Sequence, residues 1–229
     1  MPELFIVATP IGNLQDISSR ALEALKRVDF ILCEDTRVSQ KLLNHFGISK
    51  PLMSYHQHSG PAKIESILAL LKQGKNLALI SDAGTPGISD PGNKLIDLAI
   101  KQLNDLTIVP IPGPSALTAA ASVAGCPMDK FLFMGFPPHK RKRKKFFQEA
   151  LKSKYPVIIY ESCHRILKTL RELRELGSGL ELVVCRELTK KFETIYRGII
   201  DKVIEKIEKD KTKGEFVVII KKNGKEKGK

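Results

Sequence analysis

Three turn-forming clusters each follow a short apolar run in the first half of the sequence, and their residue types suit ligand binding. They occupy residues 9–13, 81–92 and 110–115. The middle cluster contains three Gly, two Pro and two Asp in twelve residues, whereas a plain strand-to-helix connection takes about 2–6 residues. Its backbone carbonyls and the carboxylates of Asp82 and Asp90 favour a cationic or hydroxyl-bearing ligand over a phosphate. The sequence contains neither a P-loop motif nor a GxGxxG fingerprint.

A sheet with parallel strands would bring such clusters together at one edge, beyond the carboxyl ends of the strands. Apolar runs at residues 4–8, 30–33, 77–80 and 106–111 predict strands that are buried on both faces. Segments with helical spacing lie between them, at 17–28, 40–46, 64–71 and 94–103. This alternation predicts an α/β domain with a mainly parallel sheet. A simpler interpretation of Asp90 also stays open, namely that it caps the next helix.

A second set of elements follows from about residue 117 onward. The predicted strands lie at 131–134, 157–160, 180–185, 195–197 and 216–220. The predicted helices lie at 117–123, 146–152, 165–176 and 199–207. We therefore predict an N-terminal domain at 1–113, a C-terminal α/β domain at 114–220 and a basic, disordered tail at 221–229.

The positive charge of the chain is concentrated in two places. The net charge is +13, from 38 Lys and Arg against 25 Asp and Glu. Residues 140–145 are six consecutive cations, and residues 221–229 add five lysines against one glutamate. A surplus of this kind indicates a polyanionic partner, with nucleic acid favoured over an acidic membrane surface.

Cysteine usage and the N-terminus indicate a reducing compartment. The four cysteines form no CxxC pair and are accompanied by no histidine cluster, so we expect buried thiols and no metal site. The N-terminal segment has no basic region before its apolar stretch, and no apolar run approaches the roughly 18 residues that span a bilayer. We expect a cytoplasmic protein without a membrane partner.

Several segments together resemble the ribosomal RNA small-subunit methyltransferase I family. They are residues 8–14, 33–37, 81–92, 112–116, 134–138, 160–165, 186–191 and 213–217. The resemblance covers nearly the whole chain in order, and the stretch SDAGTPGISDPG is its most specific part. Two positions depart from the family pattern, since Cys163 stands where proline is expected and Cys185 where a small alanine is expected.

The resemblance implies a fold, a cofactor and a reaction. The fold would be that of the tetrapyrrole methylases (class III methyltransferases), with two α/β domains, S-adenosylmethionine in the cleft between them, and a homodimer. The reaction would be 2′-O-methylation of a decoding-region cytidine, cytidine 1402, in the 16S ribosomal RNA of the small subunit. A tetrapyrrole methylase and a non-catalytic RNA-binding protein on the same fold remain the alternatives.

The residues expected to bind the cofactor come from both domains, and no metal is expected. From the N-terminal half they are Pro10, Asp82, Gly84, Thr85, Pro86, Gly87, Ile88, Ser89, Ser115 and Ala116. From the C-terminal half they are Met134, Gly135, Phe136, Glu187, Leu188, Thr189, Gly214, Glu215 and Phe216. Carbonyls and Asp82 suit the cationic groups of the cofactor, and the apolar side chains suit its adenine.

A base that takes the proton of the ribose hydroxyl would assist an in-line methyl transfer. Our catalytic candidates are Asp35, then Glu187 and Lys190, with Glu34 beside Asp35 also considered. Helix capping by Asp35 is an equally simple explanation of that residue. For residues 187–191 the alternative is a strand edge with solvated charges.

RNA binding is expected on the basic residues, which would contact phosphates and contribute little sequence choice. The candidates are Arg37, Lys140, Arg141, Lys142, Arg143, Lys144, Lys145, His164 and Arg165. The substrate cytidine must be splayed out of the folded RNA to reach the cofactor.

Overall fold

The computed structural model describes residues 1–210 and 212–222, which divide into two compact units at Met1–Ser115 and Ala116–Lys229. The division falls two residues after the expected boundary at 113/114. The expected disordered tail lies mostly outside the described residues; only Lys221 and Lys222 of it are described, and Lys221 donates to Glu181.

The first unit is a parallel sheet with helices on both faces. Its elements are β1 Glu3–Val7, α1 Ser19–Arg27, β2 Phe30–Cys33, α2 Thr36–His45, β3 Leu52–Ser54, α3 Pro61–Lys72, β4 Leu77–Ile80, α4 Asn93–Gln102 and β5 Thr107–Ile111. The strand order is β3-β2-β4-β1-β5, and every neighbouring pair is parallel. The expected mainly parallel sheet is confirmed.

Side chains alternate between the two faces of this sheet, as the pleat requires. Along β4, Leu77 and Leu79 pack with α3 and α4, while Ala78 and Ile80 pack with α1 and α2. Burial on both faces explains why the strand is a continuous apolar run without alternation.

The second unit contains a mixed sheet. Its elements are α5 Ala116–Ser122, β6 Leu132–Phe133, α6 Arg143–Lys152, β7 Val157–Ser162, α7 Ile166–Leu176, β8 Glu181–Arg186, β9 Thr194–Ile199, α8 Ile200–Lys209 and β10 Glu215–Ile220. The strand order is β6-β7-β10-β8-β9. Only β6 and β7 are parallel, and the other neighbouring pairs are antiparallel.

The central strand β10 holds this second unit together. Phe216, Val218 and Ile220 lie on the face covered by α6, α7 and α8, and Val217 and Ile219 lie on the face covered by α5. Because β7 and β8 both run antiparallel to β10, their carboxyl ends lie at the edge where β10 begins. The sheet topology therefore collects residues that are distant in sequence at one edge.

Candidate active site

Loops from four strands meet at the carboxyl edge of the first sheet. β1, β2, β4 and β5 are parallel, so the segments that follow them all leave from the same edge. These segments contain the expected cofactor residues Pro10, Asp82, Ser115 and 84–89, and also Asp35 and Arg37. Ala116 follows Ser115 directly and is the first residue of α5, which belongs to the second unit.

Hydrogen bonds hold these loops against one another. The backbone of Thr9 donates to Gly84 O at 2.9 Å, and the Gly84 backbone donates back to Thr9 O at 3.0 Å. The buried Thr9 hydroxyl donates to Ser81 O at 3.0 Å, and the Thr85 hydroxyl donates to Pro114 O at 3.1 Å. The edge is thus lined by fixed backbone groups, as a small-molecule site requires.

The carboxylates of Glu34, Asp82 and Asp90 interact at this edge without a cation. Burial and the charges of Asp90 and Asp82 raise the pKa of Glu34 to about 7. Burial and the charge of Asp82 raise the pKa of Asp90 to about 6. None of the three forms an ion pair within residues 1–210 and 212–222. Their mutual repulsion makes this edge attractive to a positively charged ligand.

Asp35, the first catalytic candidate, has its carboxylate oxygens occupied by hydrogen bonds from Arg37. Its carboxylate caps α2 by accepting from the Arg37 backbone at 2.8 Å, and it accepts from the Arg37 guanidinium at 2.6 and 3.0 Å. The hydrogen bonds from Arg37 lower the pKa of Asp35 to about 2. A carboxylate with so low a pKa is a weak base at neutral pH, so the capping interpretation describes this residue.

The loop at 81–92 contains backbone that ordinary residues avoid. Gly87 has a φ of +83°, and a Cβ there would lie 2.8 Å from Oδ1 of Asn93. Ser89 has a φ of +62° although it is not glycine. Ile88 between them is 40% exposed and available to a ligand. The residue that caps α4 is Gly92, so the interpretation of Asp90 as a helix cap is wrong.

A second group of expected residues lies at one edge of the second sheet. The carboxyl ends of β6, β7 and β8 meet the start of β10 there, which brings together residues 134–136, 164–165, 187–190 and 214–216. The Lys190 ammonium donates to Oε1 of Glu187 and to Oε2 of Glu215, each at 2.9 Å. The Glu215 backbone also donates to Oε1 of Glu187 at 3.0 Å.

These ion pairs fix the protonation of two catalytic candidates. Burial opposes the charge of Glu187, but the hydrogen bonds from Lys190 and Glu215 outweigh it and lower the pKa. Burial likewise opposes the charge of Lys190, but its two carboxylate partners raise the pKa. Lys190 is therefore protonated at neutral pH and cannot accept a proton, and Glu187 is a weaker base than an isolated glutamate.

Strained backbone marks this edge as well. Glu187 and Thr189 have φ values of +52° and +65°. Gly214 has a φ of +117°, and a Cβ there would collide with Cγ, Cδ and Oε1 of Glu187. Backbone in such sparsely populated regions costs about 1–3 kcal/mol per residue and is concentrated at functional sites.

Aromatic and apolar side chains lie on the same edge. Phe136 is 51% exposed, and its ring meets the ring of Tyr160 edge-on at 5.5 Å. The Tyr160 backbone donates to Gly135 O at 3.0 Å, which fixes the turn that follows β6. Met134 is half-buried against the core. Phe136 therefore presents a free ring face to a ligand.

The basic segment, residues 140–145, is not uniform. Lys140, Arg141, Lys142, Lys144 and Lys145 are exposed. Arg143 is 5% exposed, and its guanidinium pairs with Glu172 at 2.6 Å and donates to Pro138 O at 3.1 Å. The expectation of an RNA contact at Arg143 is therefore corrected, because its donors are used inside the protein.

His164 and Arg165 differ in the same way. His164 is exposed, as an RNA contact requires. The Arg165 side chain is only 16% exposed, and it pairs with Glu161 at 2.9 Å and donates to Pro137 O at 2.9 Å. Arg165 thus acts within the protein and is removed from the expected RNA surface. No periodicity in the sequence indicates the buried partner, Glu161, which lies near the end of the apolar strand β7.

The described residues contain no group of three or more His, Cys, Asp or Glu side chains arranged to hold a metal ion. Among the same residues, no helix combines the length and the apolar character needed to cross a membrane.

Comparison with known proteins gives the class to which this fold and these edges belong. Residues 3–204 match the family model described as Tetrapyrrole (Corrin/Porphyrin) Methylases, and the chain belongs to this family. Its methyltransferases use S-adenosylmethionine, which confirms the expected cofactor. A solved diphthine synthase has a TM-score of 0.73 at 13% identity, with 96% of this chain and 90% of that chain covered. That likeness supports the fold alone.

Relatives with higher identity carry a more specific name. The chain is 43% identical to "Ribosomal RNA small subunit methyltransferase I" of Thermotoga maritima, over 99% of this chain and 100% of the relative. It is 46% identical to the protein of the same name from Mycoplasmopsis pulmonis, over 96% of this chain and 97% of the relative. The resemblance seen in the motifs is confirmed over nearly the full length.

Proposed function

We propose that the protein transfers a methyl group from S-adenosylmethionine to the 2′-hydroxyl of cytidine 1402 in the 16S ribosomal RNA of the small subunit. The observation that carries this proposal is the 43% identity, over full length, to a relative named as a small-subunit ribosomal RNA methyltransferase. The five exposed cations at 140–145 add a positively charged surface that suits the phosphates of RNA. Binding a small acceptor molecule would not require such a surface.

The residues at the two sheet edges fit the cofactor. It supplies an activated methyl group on a sulfonium sulfur and also carries an ammonium group. In the first unit, the uncompensated carboxylates of Glu34, Asp82 and Asp90 complement those cations. In the second unit, the exposed ring of Phe136 suits the adenine, and the strained turns at Glu187 and Gly214 lie at the same sheet edge.

Glu34 is the residue best suited to accept the proton of the ribose hydroxyl. It is half-buried directly after β2, and its pKa of about 7 lies near the operating pH, where a general base is most effective. Asp35, Glu187 and Lys190 each have a pKa shifted away from that range. The carboxylate of Glu34 would hold the proton while the cofactor and the ribose oxygen are kept in line.

The proposal is tested by methyl transfer from radiolabelled cofactor to three acceptors: 30S subunits, naked 16S ribosomal RNA and uroporphyrinogen III. We expect labelling of one of the two RNA substrates, with the label in a ribose whose 3′ linkage resists alkaline hydrolysis. Labelling of the tetrapyrrole alone would replace the RNA assignment with the small-molecule alternative. Calorimetry without cofactor binding would favour the non-catalytic alternative instead.

The homodimer and the cytoplasmic location are part of the same proposal. They rest on the resemblance to the ribosomal RNA methyltransferases and on the substrate, respectively. Sedimentation of the purified protein at several concentrations tests the dimer.

A further inference from the structure

A buried carboxylate at the end of β7 organises the turn that leads into the basic segment. The side chain of Glu161 has no exposed surface. Its Oε1 accepts from the Ser162 backbone at 2.8 Å and from Arg165 at 2.9 Å. Its Oε2 accepts from the Thr169 hydroxyl at 2.5 Å and lies 3.7 Å from Nη2 of Arg143. The Thr169 hydroxyl accepts in turn from Nη2 of Arg143, so the Glu161 carboxylate contacts the Arg165 guanidinium directly and reaches the Arg143 guanidinium through Thr169.

Both guanidinium groups also donate to the carbonyls of consecutive prolines. Arg165 donates to Pro137 O at 2.9 Å, and Arg143 donates to Pro138 O at 3.1 Å. Proline has no N–H, so a Pro-Pro segment can be fixed by hydrogen bonds only through its carbonyls. The planar fork of arginine can pair with a carboxylate and still donate elsewhere, which a lysine does less well.

Pro137 and Pro138, whose carbonyls accept these hydrogen bonds, lie between two functional parts of the chain. Phe136 immediately precedes them, and the basic segment begins two residues after Pro138. On the other side, Gly135 is already fixed by the Tyr160 backbone. The direction in which the chain leaves this edge is thus set by Glu161 acting through Arg143 and Arg165.

Stability alone does not account for this arrangement. Removing a carboxylate from water is costly, and apolar replacements of buried ion pairs are often neutral or stabilising. The cluster lies beside the apolar core, since the Arg143 guanidinium stacks over the Phe147 ring at 5.0 Å and Thr169 is on the helix that carries Ile166 and Leu170. The hydrogen bonds that an apolar side chain would lose are those that orient the arginines towards the prolines.

We propose that Glu161 is a positioning residue for RNA binding, because it holds the basic segment in the orientation in which its lysines reach phosphates. This inference rests on the proposed function. Glu161 does not contact RNA; it acts through the two arginines and the two proline carbonyls.

The test measures how the affinity for 16S ribosomal RNA depends on salt in the Glu161→Gln variant. Glutamine keeps the shape but loses the charge that orients both guanidinium groups. If three of the five exposed cations contact phosphates, losing their alignment lowers the log–log salt slope by about two. We expect that fall, with the affinity for S-adenosylmethionine changed less than about twofold. A merely structural defect would lower the active fraction and leave the slope unchanged.

Two further variants sharpen the result. Glu208→Gln is the matched control, because Glu208 pairs with Arg171 at 2.7 Å on the exposed surface of α8 and should leave the slope unaltered. Replacing Lys142, Lys144 and Lys145 by Ala in the Glu161→Gln background should lower the slope little further, since both changes remove the same contacts. An unchanged slope in Glu161→Gln, or full additivity of the two sets, overturns the inference.

The failure of this inference is distinguishable from the failure of the proposed function. Hydrogen exchange at the amides of the first hydrogen-bonded turn of α6, beginning at Phe146, which donates to Lys142 O at 2.9 Å, needs no RNA, and Glu161→Gln should raise it at least several-fold. If the wild-type protein binds no ribosomal RNA, the proposed function fails. Hydrogen exchange still shows whether Glu161, Arg143 and Arg165 hold the basic segment in place. If Glu161→Gln does not fold, Arg165→Lys, which keeps the charge but not the fork, takes its place. Exchange and salt slope unchanged in that variant likewise overturn the inference.

Discussion

Alanine at Arg143 should lower the stability of the protein, whereas alanine at its exposed neighbours should leave it nearly unchanged, although all belong to one run of cations. We compare Arg143→Ala with a triple variant that has alanine at Lys142, Lys144 and Lys145. The three lysines are exposed, whereas Arg143 is 5% exposed and pairs with Glu161 and Glu172. The first variant should destabilise the second unit, and the second should weaken RNA binding.

The magnitudes follow from the two environments. Each phosphate contact contributes about 0.7–0.9 to the log–log salt slope, so three lost lysines lower it by about two. Truncating one partner of a buried ion pair costs roughly 3–5 kcal/mol, because the other charge is left unpaired. For Arg143 we take the lower end, since Glu161 keeps Arg165 and Thr169 as partners. About 3 kcal/mol corresponds to a fall in Tm of roughly 6–12 °C.

The assay combines thermal unfolding with fluorescence anisotropy of labelled 16S ribosomal RNA across a series of salt concentrations. The triple variant should keep its Tm within about 2 °C, because exposed substitutions change stability little. If Arg143→Ala keeps its Tm and lowers the salt slope by about one, the guanidinium contacts RNA at the surface and is not part of a buried network.

Four further results are expected. Methylation at subsaturating RNA should rise through a pH of about 7 as Glu34 loses its proton, and Glu34→Gln should remove that dependence. The same substitution should stabilise the fold by about 1–3 kcal/mol at pH 8 and by little at pH 4.5, because a raised native pKa penalises the ionised carboxylate; equal gains at both values in denaturant titrations would contradict this. Asp35→Asn should leave the methylation rate within about twofold, since asparagine also caps a helix; a loss of a hundredfold would restore Asp35 as the base. Gly214→Ala should weaken cofactor binding and destabilise the protein by about 1–3 kcal/mol in calorimetry, because its Cβ would collide with Glu187; unaltered binding would show that the turn tolerates a side chain.

The predictable part of the fold was the buried part. The predicted strands at 30–33 and 77–80 coincide with β2 and β4, because strands covered on both faces are continuous apolar runs. The loops at the sheet edges were also predictable, since a long glycine-rich connection after a buried strand has few structural explanations. Strand β3, Leu52–Ser54, was missed because it is three residues long, half-buried and at the edge of the sheet.

The features that involve charged residues could not be predicted from the sequence. The helix predicted at 146–152 begins at Arg143, three residues earlier, since a run of cations carries no apolar periodicity. The burial of Arg143 depends on Glu161, Thr169 and Glu172, which are 18 to 29 residues away in sequence and are brought near by β7 and α7. The protonation states of the carboxyl groups could not be predicted either. Glu34 and Asp35 are adjacent, yet burial raises the pKa of Glu34 to about 7 and Arg37 lowers the pKa of Asp35 to about 2.

We predict that the carboxylates of the first unit also favour one order of binding. A ribose that receives the methyl group must bring its phosphates towards the residues that hold the cofactor, and Glu34, Asp82 and Asp90 would repel them. A bound sulfonium and ammonium would offset that repulsion, so RNA should bind more tightly after the cofactor. Anisotropy titrations at pH 8 should show a larger gain with S-adenosylmethionine than with S-adenosylhomocysteine, whose sulfur is uncharged. At pH 5.5 the two gains should converge, because Asp90 and Glu34, with pKa values of about 6 and about 7, are then largely neutral. Equal gains at pH 8 would refute the electrostatic coupling.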